Sequence, residues 1–194
     1  MNRFGPIEAI TPAHQTGDFD CGSEAQTTWL QRHALQAHRS DTARVYVVCR
    51  ADSSGVVGYY ALAAGSVSHD AVPPRATKGV GRYPVPVVIL TRLGVDRAEQ
   101  GRGLGSALLR DALFQVASIA DRIGVRAMLI HAENEAAAVF YARLDIGLEP
   151  SPTDPLHLIL LIKDLRSAIS EAASAVGRGP RPTDDKRRPS PRQD

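Results

Sequence analysis

At 194 residues, with 43% hydrophobic and 23% charged residues, the chain has the size and composition of one globular domain with a substantial core. No apolar run approaches the length of a membrane span, and the N-terminus lacks a secretory pattern. Two cysteines, Cys21 and Cys49, make no disulfide framework, and six histidines (His14, His33, His38, His69, His131, His157) show no metal-ligand spacing. A cytoplasmic protein with no metal and no membrane partner is expected.

The net charge of +2 is unevenly spread. From Gly177 onward Arg178, Arg181, Lys186, Arg187, Arg188 and Arg192 stand against Asp184, Asp185 and Asp194, so this stretch carries +3 and the rest of the chain −1. Rich in proline and charge, residues 177–194 bury too little to offset the entropy of ordering. They read as a basic, disordered tail after a single domain over residues 1–176. A solubilising extension and an arm that attracts nucleic acid both fit that composition.

Residues 1–20, polar with scattered Pro and Gly, read as a loose lead-in. A helix is expected from Ser23 to about His38, with Ala25, Trp29, Leu30 and Ala34 on one side. Arg44–Arg50 reads as a strand, and Val56 to about Ala64 as its antiparallel hairpin partner, with Gly58 marking a bulge. Ser66 to Pro84 is a long connection in which Arg75, Lys78 and Arg82 face Asp70 alone. A substrate-contacting loop and a solvated linker both fit it.

The run Val85–Val95 is β-branched and apolar, as a buried strand should be, with Pro86 near its start where a missing N–H is tolerated. A turn at Asp96–Glu99 and three glycines (Gly101, Gly103, Gly105) lead into an amphipathic helix. Its core positions are Leu104, Leu108, Ala112, Val116, Ile119 and Ile123, and Gly124 is its stop. Strand, glycine-rich turn and helix start form an anion cradle, because first-turn N–H groups are unpaired and glycines let a phosphate come close. The loop has neither the Gly-Lys-Ser/Thr ending of a P-loop nor Gly-x-Gly-x-x-Gly. A strand at Arg126–His131, a helix from Asn134 to Leu144, a strand at Leu156–Ile162 and a helix at Lys163–Val176 complete an α/β arrangement on a mixed sheet flanked by helices.

Gln100-x-x-Gly103-x-Gly105 resembles the acyl-CoA pyrophosphate loop of the GNAT superfamily of N-acetyltransferases, whose element order is similar over about residues 44–162. The likeness extends over most of residues 17–166 to the tRNA-acetylating toxins of type II toxin–antitoxin modules. It is carried by Phe19-Asp20-Cys21-Gly22, Trp29-Leu30, Val57-Gly58-Tyr59-Tyr60-Ala61-Leu62, Arg82-Tyr83-Pro84-Val85-Pro86, Phe140-Tyr141, Pro150-Ser151-Pro152 and Asp154-Pro155-Leu156. The resemblance implies acetyl-CoA as cosubstrate and transfer of acetyl to the α-amino group of aminoacyl-tRNA, which blocks translation. It also implies a ribbon-helix-helix antitoxin partner and a homodimer.

The family's catalytic tyrosine maps to Tyr141, and a phenol, pKa about 10, can protonate a departing thiolate. By the same resemblance Leu93 and Val95 offer backbone groups to the acetyl and pantetheine arm. Backbone N–H groups of Gln100, Gly101, Arg102, Gly103, Leu104, Gly105 and Ser106 hold the pyrophosphate, and Arg102 adds charge. Asn134 is read both as a pantetheine contact and as a helix cap. Arg75, Lys78 and Arg92 are the candidate tRNA contacts. No general base stands out, and an α-amine, pKa about 7.7–8.0, needs less help than a lysine near 10.4. The alternatives are an acetyltransferase of a small amine or protein N-terminus, and a non-catalytic CoA-binding module. One departure from the pattern is Gly147-Leu148, displaced by a two-residue insertion around Asp145-Ile146; Gly147 can still take the left-handed conformation that ends a helix.

Overall fold

The computed structural model describes residues 3–177; the tail beyond Gly177 lies outside the described residues. Seven strands form one sheet in the order β1-β2-β3-β4-β5-β7-β6. They are β1 (Phe4–Ala9), β2 (Arg44–Arg50), β3 (Val56–Val67), β4 (Val85–Val95), β5 (Ala127–His131), β6 (Glu149–Pro150) and β7 (His157–Leu161). Only β4 and β5 run parallel, and the other pairs are antiparallel. The helices are α1 (Glu24–Arg32), α2 (Ala34–Arg39), α3 (Pro74–Thr77), α4 (Leu104–Ala120), α5 (Glu135–Ala142) and α6 (Ile162–Gly177).

Four expectations are corrected. The lead-in contains an edge strand, β1, whose register shifts between Phe4 and Ile7, around Gly5-Pro6. Proline is tolerated at an edge, where its missing N–H leaves no ladder bond unmade. The first helix is two: the chain bends at His33, while Leu30 and Ala34 stay buried on one side. The long connection holds the end of β3, a 3₁₀ turn at His69–Ala71 and α3. Finally, α5, expected to run to Leu144, ends at Ala142 with Arg143 as its C-cap, and Asp145 is left-handed at φ 48° before Gly147 at φ 83°.

The expected bulge in β3 is present. Val48 pairs with Gly58 and Cys49 with Val56, leaving Val57 unmatched. One face of the sheet, with Tyr60, Leu62, Val88, Leu90, Met128 and Leu160, packs on Leu104, Leu108, Leu109 and Val116 of α4 and Leu165 of α6. The other face carries two separate clusters. Leu30 and Ala34 of the first two helices cover Val45, Val47, Tyr59 and Ala61, and Val72 and Ala76 cover Val85, Val87, Ala127 and Leu129. Thr91, Arg92 and His131 line a small groove together with Trp29, Ala37 and Ala63 of the first cluster's side.

Candidate active site

The site begins where β4 parts from β5. The two strands are paired from Val87–Ala127 to Leu90–Ile130 and no further, whereas β4 continues to Val95 against β3. A bulge marks the parting point: Ala61 pairs with Arg92 and Leu62 with Leu90, leaving Thr91 unmatched. Because side chains alternate with period two, one extra residue switches the faces. Val88 and Leu90 before the bulge and Leu93 and Val95 after it therefore all join the α4 side. Arg92 is left on the opposite face, with its guanidinium 5.6 Å from the Trp29 ring centroid.

A cleft of about 690 Å³ opens there, lined by residues that include Leu93, Val95, Gln100, Gly103, Ser106 and Tyr141. Gly101 and Gly103 have φ of 73° and 83°, and a Cβ built on either meets nothing within 4 Å. No side chain caps the start of α4, so its first-turn N–H groups face this open space, which suits a pyrophosphate. Gly105, which also lines the cleft, serves packing as well: a Cβ there would sit 3.3 Å from Phe140 Cζ. The Gln100 amide donates to Val95 O and Cys21 O, each at 2.9 Å, tying the loop to the end of β4.

Glu99 anchors the same loop from beneath. Its side chain is 2% exposed and meets Arg3 at 3.0 Å, Arg50 at 3.3 Å and Arg102 at 3.9 Å. The Arg3 hydrogen bond, ahead of the surrounding arginine charge, holds its carboxyl below the usual range. The Arg102 side chain is thus turned towards Glu99 and is absent from the cleft lining, as is Leu104, whose side chain is buried in the core.

Tyr141 is buried, 6% exposed, near the end of α5, with Phe140 edge-on to it at 5.2 Å. Its hydroxyl has no hydrogen-bond partner among the described residues, while burial, then the charge of Glu133, pushes its pKa upward. The phenol, protonated at neutral pH in any case, thereby keeps its proton further into the alkaline range. The other inner tyrosines are committed: Tyr59 Oη donates to Gln26 O and Oε1, both at 2.9 Å, and Tyr60 Oη donates to Asp111.

Asn134 does two things. Its Oδ1 accepts from Ala137 N at 2.9 Å as the N-cap of α5, and the residue lines both this cleft and a second one. That second cleft, about 780 Å³, is lined by residues that include Ser23, Trp29, His33, Arg92 and Glu133. Sequence reasoning missed Ser23 and Glu133, whose one visible signal is position: each immediately precedes the start of a site helix or its cap.

Arg75 and Lys78 are not brought to either cleft. Arg126 N bonds Pro86 O and its guanidinium bonds the carbonyls of Ala76 and Lys78, which places α3 at the opening residues of β4 and β5, opposite the clefts. The Arg75 guanidinium is held by Glu149 and Asp164, so its charge serves the fold. Composition alone counted these cations without locating the acidic partners of Arg75.

A parted parallel pair, an uncapped glycine-led helix and an unengaged tyrosine in one cleft define an acetyltransferase of the GNAT class. The acetyltransferase (GNAT) domain family matches residues 41–145, and the chain belongs to that family. It is 45% identical over 171 residues to the tRNA-acetylating toxin of Mycobacterium tuberculosis strain H37Rv, covering 88% of this chain and 100% of the relative. Among solved structures it resembles AtaT complexed with acetyl-methionyl-tRNAfMet, at 30% identity and TM-score 0.77 over 84% of this chain and 98% of that one. It also resembles a tyrosine-to-phenylalanine mutant of AtaT bound to the C-terminus of the antitoxin AtaR and acetyl-CoA, at 27% identity and TM-score 0.73 over 87% and 99% of the two chains.

Proposed function

We propose that this chain is the toxin of a type II toxin–antitoxin pair, transferring acetyl from acetyl-CoA to the α-amino group of aminoacyl-tRNA and so stopping translation. The observation that carries the reading is the protonated Tyr141 hydroxyl, without a hydrogen-bond partner among the described residues, in the cleft that the parted β4 and the α4 N-terminus form. The 45% likeness to a tRNA-acetylating toxin over its whole length supplies the substrate. In this reading first-turn N–H groups of α4 hold the pyrophosphate, and the β4 backbone at Leu93 and Val95, beyond its last pairing with β5, aligns the pantetheine. Asn134 lies where that arm meets the second cleft, and Tyr141 gives its proton to the departing thiolate. The charged 3′ end enters the second cleft, with Arg92 drawing its phosphates. An antitoxin of the ribbon-helix-helix kind, a homodimer and a cytoplasmic setting belong to the same proposal.

The second cleft carries Glu24 and Glu133 alongside His33 and Arg92, a mixed charge that gives no preference to a small free amine over a charged tRNA end. The test is a translation extract. Protein plus acetyl-CoA should halt synthesis, and freshly charged tRNA should restore it. Arrest that does not require acetyl-CoA would contradict the proposal.

A further inference from the structure

Tyr141 serves the leaving thiol, and the incoming nitrogen needs a partner of its own. Glu133 sits one residue before Asn134, where the two clefts meet. One of its oxygens is fixed: Ser23 Oγ donates to Oε1 at 2.5 Å. That hydroxyl is itself oriented, because as N-cap of α1 it accepts from Gln26 N at 3.3 Å. The residue is exposed, and among the described residues its carboxylate has no Lys, Arg or His within ion-pair distance, although Arg92 lines the same cleft. Its charge is also the one that reaches the Tyr141 phenol. An anchored carboxylate with one oxygen unclaimed, open to a substrate cleft, suits a cationic N–H donor.

We propose that Glu133 docks the α-ammonium of the acceptor and distinguishes substrate from product, because acetylation removes the charge it holds. The inference rests on the aminoacyl-tRNA reading for the identity of the acceptor. Glu133 and Arg92 in one cleft also set a polarity, with the ammonium at the Glu133 end and phosphate at the Arg92 end. During transfer the ammonium passes one proton to the Glu133 carboxylate, and the freed nitrogen pair adds to the thioester carbonyl carbon. The C–S bond then breaks with its electrons on sulfur, which takes the Tyr141 proton. The second nitrogen proton returns to the tyrosinate, and Glu133 passes its proton to water. A neutral amide, a free thiol and one released proton result. The neutral amide no longer satisfies the carboxylate, which favours its release.

The experiment compares the full chain with Glu133→Gln and Glu133→Asp. It measures binding of charged tRNA and of the same tRNA N-acetylated, together with kcat and KM for the acceptor and the affinity for acetyl-CoA. The unaltered chain should bind the charged form about tenfold more tightly than the acetylated one, as a charge-assisted contact partly open to water would give. Glu133→Gln should bind both alike and lose about tenfold or more in kcat/KM for the acceptor, with acetyl-CoA affinity unchanged. Glu133→Asp, which keeps the charge, should retain part of the preference. An undiminished preference in Glu133→Gln overturns the proposal, and so does a loss of acetyl-CoA affinity in that variant, which would place the residue in the coenzyme cleft. If a small amine and not tRNA takes the acetyl group, the substrate reading fails. The same comparison between that amine and its N-acetyl product then decides Glu133 by the same criteria.

Discussion

A group that must give up a proton has to hold one first, and a phenol, pKa about 10, does so at neutral pH unaided. In Tyr141 desolvation disfavours the phenolate and the nearby Glu133 charge adds to the effect, so the acid form persists well into the alkaline range. Tyr141→Phe should lower turnover by about 10²–10⁴ while leaving acetyl-CoA binding intact, as read by single-turnover transfer and calorimetry. Unchanged turnover would remove the residue from the mechanism. The pH profile gives a second check: kcat at saturating acceptor should show no fall near pH 10, where an ordinary phenol ionises. A descending limb there would mean that the acid is not this buried tyrosine. At this scale the chain was partly readable. Tyr141 stood out by motif, whereas Glu133 did not, since an exposed acid before a helix cap is commonplace until a serine 110 positions away is seen to hold it.

Among the elements, the loop between β4 and α4 was the most legible, because its glycines have a physical reason to be there. Gly103 has a left-handed φ of 83°, which a side chain adopts only with strain. Gly103→Glu should abolish acetyl-CoA binding by filling the cradle and placing negative charge against it, and retained affinity by calorimetry would refute the loop's role. What holds the loop was not legible. Glu99 is gripped by Arg3 of the chain start and Arg50 of β2, residues far away in sequence. Glu99→Leu would strip three arginines of their shared partner and should lower the melting temperature and weaken acetyl-CoA binding together. A change in melting temperature alone would show that the anchor does not set the loop's conformation. The Thr91 bulge was equally hidden. The β-branched apolar run Val85–Val95 identifies a buried strand, but only the pairing with β3 reveals where the faces switch.

Across the whole molecule, the sheet's two faces divide the labour: one packs continuously on α4 and α6, and the other splits into two apolar clusters. The α/β class and most strands followed from period and turn residues. Two short segments escaped because their pairing comes from position and not pattern: β1 with its Gly5-Pro6 and the two-residue β6. Packing this tight also makes a prediction about pH. Tyr59, Tyr60 and Tyr141 all have pKa values raised first by burial, so the native state retains protons that the unfolded chain gives up near pH 10. Their contribution is fully present below that pH and is lost as pH rises above it. Urea midpoints should therefore hold up to about pH 9 and fall steeply above about pH 10. A flat profile would mean that these phenols ionise without opening the core.

The central claim is acetyl transfer from acetyl-CoA to the amine of a charged tRNA, and labelled acetyl-CoA tests it most directly. The purified chain is given total charged tRNA, the same tRNA deacylated, and free amines in one competition. Label confined to charged tRNA, and lost in Tyr141→Phe, is the predicted result. Label on free amines, or label that survives Tyr141→Phe, would contradict the account.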